Sequence, residues 1–457
     1  MRHQRDNSWD NFALNDSAPD RTIPANDEQL ATALEILEQN YTYTVGYTTN
    51  QADPVLKEQL SRLLFRLLGV YHGATLDAPA VLDFSGAWLP ALDTFRPDEL
   101  VLQYGAPNVT FMDVYYLNAY ADLSDVLDKD AAPVTKCSAF VKRLDDDVLI
   151  AHNTWSGFLD QSMAQTYAIN GDLITFNSTY PGLIASTTDF GYNKAGILFN
   201  ETTHHYTYTE PKTDALWMLW RAALAEQFAG SIDALFHFAS LAPSGTYMNG
   251  YMVIAAKTRE IGLVEMGYKS FVFFKSADGG PWVVTTEPEG QTTDYDTELV
   301  QPDVILGVNY PASVLIEEEL QAVETRPARR AQFLEFMDGV TDVESAKVLI
   351  TYTAPDEPLS IYGRWDLGWG TTPSPKTVPD GAIDAKVTAA AHALQAQEME
   401  GRFDPSAVQT MFWMKYGTPV FDGKPFIWSE SQWKGQPLRH VPDVVAGDWQ
   451  QIIAPLK

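Results

Sequence analysis

Apolar side chains recur at spacings of three and four from Asp27 through Ala31-Thr-Ala-Leu-Glu-Ile-Leu-Glu38. They do so again from Pro54 to Leu68 and over Phe111-Met-Asp-Val-Tyr-Tyr-Leu-Asn-Ala-Tyr120. That period places apolar groups on one helix face and predicts a mainly helical first 130 residues after a polar, irregular arm over 1–26. From Cys137 the pattern changes to short β-like runs: Cys137–Arg143, Val148–Trp155, Leu173–Asn177, Gly196–Thr203, Tyr251–Ala256, Ile261–Met266, Phe271–Lys275, Trp282–Thr286 and Val304–Tyr310. Helices are predicted between and after them at Thr213–Phe228, Ser231–Ser240, Ser313–Ala322, Arg326–Phe336, Val343–Tyr352 and Ala385–Glu398. A Trp- and Pro-rich tail from Phe403 to Lys457 is expected to wrap the surface. Hairpins separated by helices imply antiparallel sheets covered by helices, an α+β layer structure.

The polar turn Leu144-Asp-Asp-Asp147 joins the first two strands as a hairpin. Centred on Asp145 and Asp146, it sets Cys137 opposite Thr154 and diagonal to His152, all on one face. A one-residue slip moves His152 to the other face, so the placement depends on register.

Charge narrows the partners. Thirty-one basic against sixty acidic residues leave a formal net charge of -29, which repels phosphate backbones and anionic membranes. Nucleic-acid binding is not expected. No window of eighteen apolar residues appears and the first thirty positions lack a hydrophobic signal core, so a soluble, cytoplasmic chain without stable membrane insertion is expected. Asn15, Asn40, Asn108, Asn177 and Asn200 each open an Asn-x-Ser/Thr triplet, which matters only on a secretory route.

Cys137 is the single cysteine. It excludes an intramolecular disulfide and a thiolate zinc cluster, leaving a buried spectator or a nucleophile. Phosphate-binding glycine loops and the Gly-x-Ser-x-Gly elbow are absent. His204-His205 is a weak metal signal because neighbouring strand residues face opposite ways, and no metal or cofactor is expected. Asp189, Asp366 and Asp384 lie among Gly, Tyr and Trp, where a carboxylate orients basic groups or caps a turn. Capping is favoured for Asp384 and both readings stay open for the other two. Asn309 ends an apolar run before Pro311, as a turn former or as an amide donor to an oxyanion.

Taken in order, the segments Cys137-Ser-Ala, Ala151-His-Asn-Thr-Trp155, Gln161-Ser-Met163, Tyr180-Pro-Gly182, Thr188-Asp-Phe190, Glu201-Thr-Thr203, Ser244-Gly-Thr-Tyr247 with Asn249, Asn309, Arg364-x-Asp-Leu367, Asp384-x-Lys386 and Pro425-Phe-x-Trp-Ser429 resemble the phospholipase B-like proteins of the N-terminal-nucleophile hydrolase superfamily. The resemblance runs from about Asp113 to the C-terminus. It implies an αββα four-layer sandwich of antiparallel sheets over residues 137–457, preceded by the helical segment 27–136, which is separated by a cut of the Lys136–Cys137 bond. The cut frees an α-amino group with a pKa of roughly 7.7–8.0, able to take the thiol proton. By the same resemblance Cys137 is nucleophile and base, Asn309 supplies the oxyanion hole and Arg364 orients the nucleophile. His152 and Trp155 line the site, Thr203 touches the cysteine region, and Asn249 and Asp366 support it.

The implied reaction is acyl transfer from an amide or ester of a small amphiphilic acyl substrate, through a thioester, to water. The alternatives are a non-catalytic acyl-ligand binding protein of the same fold and an acyltransferase. Animal relatives carry signal peptides, disulfides and glycans as lysosomal or secreted proteins. This chain has one cysteine, no visible leader and a compact step from Trp155 to Tyr180, and nothing in it fixes an oligomeric state.

Overall fold

The computed structural model describes residues 27–75, 110–127, 137–158, 166–167, 175–179, 182–325, 327–363, 380–398, 410–420, 423–431, 434, 443–445 and 447–453. The expected arm over 1–26, the Lys136 side of the expected cut, and Arg364 and Asp366 lie outside them.

Two antiparallel sheets carry the fold. The first is ordered β11 (Val300–Gln301), β12 (Val304–Gly307), β1 (Cys137–Arg143), β2 (Val148–Gly157), β13 (Asp380–Ala389), β14 (Thr410–Tyr416) and β17 (Trp449–Ile453). The second is ordered β10 (Trp282–Glu287), β9 (Phe271–Ser276), β8 (Glu260–Met266), β7 (Asn249–Ala255), β6 (Ile197–Thr203), β5 (Phe190–Asn193), β4 (Thr175–Thr179) and β3 (Thr166–Tyr167). A small hairpin, β15 (Phe426–Ile427) with β16 (Val444–Val445), stands apart.

The sheets meet face to face. The Asn200 side chain crosses between them to donate to the Ala151 carbonyl at 2.9 Å. At Gly307 a Cβ would lie 2.6 Å from the Met252 methyl and 2.8 Å from Thr202 Cγ2, so the close approach of β12 to the second sheet requires glycine. Packed on the outer side of the second sheet are α1 (Asp27–Asn50), α2 (Pro54–Thr75), α3 (Phe111–Leu127), α4 (Met218–Phe228) and α5 (Ile232–Ser240), which share a core with Phe199, Tyr251, Val253 and Val264. The short α6 (Val314–Leu320) packs beside β9, and on the other flank α7 (Pro327–Phe336), α8 (Val343–Ile350) and α9 (Ala390–Glu398) contribute Phe333, Leu349 and Ala393 to the core that includes the first sheet. The expected four-layer α+β sandwich is therefore the fold.

Local rules account for the element ends. Ser231 accepts from Ala234 N at 3.1 Å to cap α5, and Asp342 with Ser345 forms a capping box before α8. Two expectations are corrected. Residues 385–389, expected to open a helix, are the end of β13, because helix α9 begins only at Ala390. Their run Ala-Lys-Val-Thr-Ala lies in the middle of a sheet that buries every one of them, so tertiary burial overrides the helical reading. Nor does the tail only wrap the surface: β14 and β17 extend the first sheet, with Phe412 and Met414 in its core.

Three of the Asn-x-Ser/Thr asparagines are interior. Asn40 donates to Thr213 O and Ala215 O at 2.8 and 2.9 Å, Asn177 donates to Glu226 Oε2 at 3.3 Å, and Asn200 spans the sheets. A glycan on any of them is incompatible with this fold.

Buried carboxyls tie stability to pH. Burial pushes Glu226 up to about 8 and Glu265 up to about 7, although Glu265 accepts from Ala312 N and from Ser313 N at 2.8 Å. A carboxyl whose pKa is higher folded than unfolded binds more protons when folded, so stability falls as pH rises between the two values. The unfolding free energy is therefore expected to drop by roughly 3–4 kcal/mol for each such group from about pH 4.5 to pH 8. Glu226→Gln should flatten that slope in denaturant titrations run at stepped pH, and a wild-type slope of opposite sign would refute the assignment.

Candidate active site

Cys137 is the first residue of β1 and is 4 % exposed. Its strand pairs with β2 in the register Cys137↔Thr154 and Ala139↔His152, so the thiol stands opposite Thr154 and diagonal to the imidazole. The hairpin closes as the sequence indicates, with Leu144 N donating to Asp147 O at 2.8 Å. Alternation then divides the pair of strands into two environments.

On the inner face lie Cys137, His152 and Thr154. Donor atoms of Cys137, His152 and Asp189 all fall within 4.8 Å of one another. Asp189 comes from the loop before β5 and holds a left-handed backbone with φ 57°. Behind it, β13 supplies Asp384 and Lys386, both fully buried, as an ion pair of 2.7 Å. The Lys386 ammonium also donates to Thr154 Oγ1 at 2.8 Å and to Thr188 O at 2.7 Å, while Asp384 Oδ1 accepts from Thr154 N at 3.0 Å. Asp384 is thus no turn cap. It is the buried counter-charge that lets a lysine stand in the interior.

The outer face anchors the cysteine backbone. Asn153 Nδ2 donates to Ile350 O and Ile361 O, both at 2.8 Å, and its Oδ1 accepts from Ser138 N at 3.1 Å. Trp155 sends Nε1 to Ile361 O at 3.2 Å. The Arg329 guanidinium lies over the Trp155 ring, 5.2 Å from its centroid. Trp155 is therefore a wall beneath the arginine, on the sheet face opposite the thiol.

Asn309 joins the two environments. Just past β12, at φ 62°, it adopts the left-handed conformation that asparagine tolerates better than branched residues do. Its Oδ1 accepts from Cys137 N at 3.2 Å and from Arg329 Nη1 at 3.0 Å, and its Nδ2 donates to Thr203 O at 2.7 Å. With the chain whole, the donor end of the amide is committed to Thr203, so donation to an oxyanion requires it to leave that carbonyl. Thr203 pairs with Asn249 across β6 and β7, and its hydroxyl donates to Glu201 Oε1 at 3.1 Å.

Sequence reasoning missed Arg329. Fully buried, it donates to Cys137 O, to Ser138 Oγ at 3.2 Å and to Val308 O at 2.6 Å. The signal was available: Arg329, Gln332 and Phe333 fall at helix spacing on the buried face of α7. Burial lowers the arginine to about 10, which leaves it charged at neutral pH.

Electrostatics set the protonation state of the site. Burial, with Asp189 and Glu201 nearby, pushes the Cys137 thiol well above its ordinary value. Burial, then Lys386, pushes His152 well below its own. Burial raises Asp189 to about 7 against the pull of Lys386, and Glu201 is raised well above the usual carboxylate range by burial and by Asp189. At neutral pH the thiol is protonated and the imidazole neutral, while Glu201 is biased toward its protonated form.

Fold and site together define a four-layer α+β sandwich with one buried cysteine at the head of a central strand. Residues 102–313 match the family model described as Phospholipase B, a stretch that holds Cys137, His152, Trp155, Thr203, Asn249 and Asn309. The phospholipase B-like resemblance thus holds over the region that builds the thiol's surroundings, and the family name is that of a lipid-ester hydrolase. No curated protein matches the chain. No described helix is long and apolar enough to cross a membrane.

The Asp384–Lys386 pair gives a direct test of this construction. Asp384→Asn should cost about 3–5 kcal/mol, because it strands a buried ammonium. Adding Lys386→Met should recover most of that loss in urea unfolding. A single variant as stable as wild type would mean that the pair does not form.

Proposed function

We propose that the chain is a self-processing cysteine hydrolase of the N-terminal-nucleophile kind that cleaves an amide or ester bond of an acylated amphiphile. The observation that carries this reading is the grip on the Cys137 backbone nitrogen by Asn309 Oδ1 at 3.2 Å. Beyond the end of the β1–β12 ladder this buried N–H takes a side-chain acceptor, and the same oxygen is in place to hold an α-amino group against its own thiol.

The protonation states point the same way. His152 is depressed and the thiol raised, so transfer from sulfur to imidazole is uphill and no side chain among them is a competent base. A new α-amino group, with a pKa of roughly 7.7–8.0, supplies one. In the first step the Cys137 sulfur adds to the Lys136 carbonyl, the thiol proton passes to the departing nitrogen and the C–N bond breaks, giving a thioester and a free α-amine. Water then hydrolyses the resulting thioester, leaving a carboxylate on Lys136 and a free amine on Cys137. In turnover that amine takes the thiol proton and the thiolate attacks the substrate carbonyl. The protonated amine returns its proton to the leaving alcohol or amine, and water releases the acyl group. Asn309 orients the amine through Oδ1, and its Nδ2 serves the oxyanion once it turns from Thr203. Arg329 fixes the Cys137 carbonyl and the same Oδ1 as a positioning residue, Asn249 and Thr203 support that corner, and Arg364 and Asp366 stay as carried by the resemblance. The net charge of -29 favours a monomeric or micellar substrate over an anionic bilayer.

Incubation of the purified protein at mildly acidic pH should yield two fragments by intact mass, one beginning Cys-Ser-Ala-Phe. Cys137→Ala should stay whole and lose at least about 10³-fold of lysophospholipid or acyl-amide hydrolysis. A wild-type chain that remains whole under every condition overturns self-processing and favours an acyl-ligand binding protein. Asn309→Asp, which keeps the acceptor, should retain more activity than Asn309→Ala, whose loss is expected at about 10²–10³-fold.

A further inference from the structure

The inner face of the site combines a thiol, an imidazole and a carboxylate in a way that hydrolysis does not require. We propose that Cys137, His152 and Asp189 form a binding site for one borderline-soft divalent cation of the Zn²⁺ type.

Three observations carry this. The donor atoms of these residues lie within 4.8 Å of one another, and they form the one such convergence of His, Cys, Asp or Glu among the described residues. A tetrahedral ion with bonds of about 2.0–2.3 Å needs its ligands about 3.5 Å apart, so modest side-chain rotation closes the set. His152 is fully buried, and neither ring nitrogen makes a hydrogen bond of normal geometry, although the Glu201 main chain lies near enough to favour its charged form. An imidazole left unpaired in the interior carries a desolvation cost that a metal bond would remove. Finally, thiolate, imidazole and carboxylate are the donor set that zinc prefers, with a fourth position left for water.

The surrounding charge is compatible. Lys386 is the nearby cation, and it is paired with Asp384 at 2.7 Å. A thiolate and two carboxylates thus face one ammonium, and the cation completes the balance. Cys137 and His152 are buried and Asp189 is partly exposed, so the ion enters past the aspartate. Binding displaces the thiol proton to solvent, and the sulfur lone pair engaged by the metal no longer attacks a carbonyl. If the self-processing reading holds, the metal keeps the chain whole; the site itself does not depend on that reading.

Titration of the purified full chain with Co²⁺ tests the site, because Cys137 is the only cysteine in the sequence and any sulfur-to-cobalt charge-transfer band must arise there. One equivalent of Co²⁺ should produce the band and Zn²⁺ should bleach it. His152→Ala and Asp189→Asn, checked for folding by circular dichroism, should each weaken binding by at least about tenfold. Absence of the band in wild type, or unchanged affinity in the folded variants, overturns the proposal. Following cleavage by mass in the same samples keeps the two ideas apart, since a chain that never cuts still reports the band.

Discussion

The geometry of the site hangs on one buried cation. Arg329 reaches from α7 through the first sheet's outer face to the Cys137 carbonyl, the Ser138 hydroxyl, the Val308 carbonyl and the Asn309 amide oxygen. Those acceptors belong to two adjacent strands, β1 and the exit of β12, and to the residue whose side chain holds Cys137 N. Planarity matters here, because a guanidinium serves several carbonyls in a fixed fork where an ammonium offers only a point charge. The Trp155 ring beneath it excludes water and adds a cation–π contribution. The helix, the strand and the asparagine are thereby locked into one arrangement before any chemistry begins.

On the opposite face the site has an excess of acid groups. Asp189, Glu201 and Asp384 share the interior with Lys386, and the thiol adds a potential fourth anion to those the lysine must balance. Such a cluster resists full ionisation in a medium of low dielectric, so Glu201 is biased toward its protonated form and Asp189 is raised to about 7. The same logic runs through Glu226 and Glu265. This fold stores protons in its interior under a surface already rich in carboxylates, and both features favour the compact state at mildly acidic pH.

How much of this could be read from the sequence depends on the range of the interaction. The hairpin register was legible because a two-strand unit with a polar turn is local, and Cys137, Thr154 and His152 fell where alternation put them. The helix faces were legible too, yet the meaning of Arg329 was not, since its partners are about 20 to 190 residues away in sequence. Asp384 looked like a turn cap in the sequence, and only the placement of β13 against β2 turned it into a counter-ion. The strands at 410–416 and 449–453 lacked clean alternation because they finish a sheet whose two faces both meet other layers. Arg364 and Asp366, carried by resemblance, lie outside the described residues and remain proposals.

The thiol in the uncut chain is held in its least reactive form. Burial and the nearby carboxyls raise it, the imidazole diagonal to it is too weak a base to relieve it, and its own nitrogen is tied up in a peptide bond. In the proposed cut of the Lys136–Cys137 bond the last of those restraints is removed, because the nitrogen becomes a base beside the same asparagine oxygen. On the proposed function a site assembled in this order is inert until it is cut. The same reserve of unpaired imidazole, thiol and carboxylate is what a soft cation would find before that cut. Metal capture and attack on a carbonyl compete for the same sulfur lone pair, so a thiolate that holds the ion is not a nucleophile.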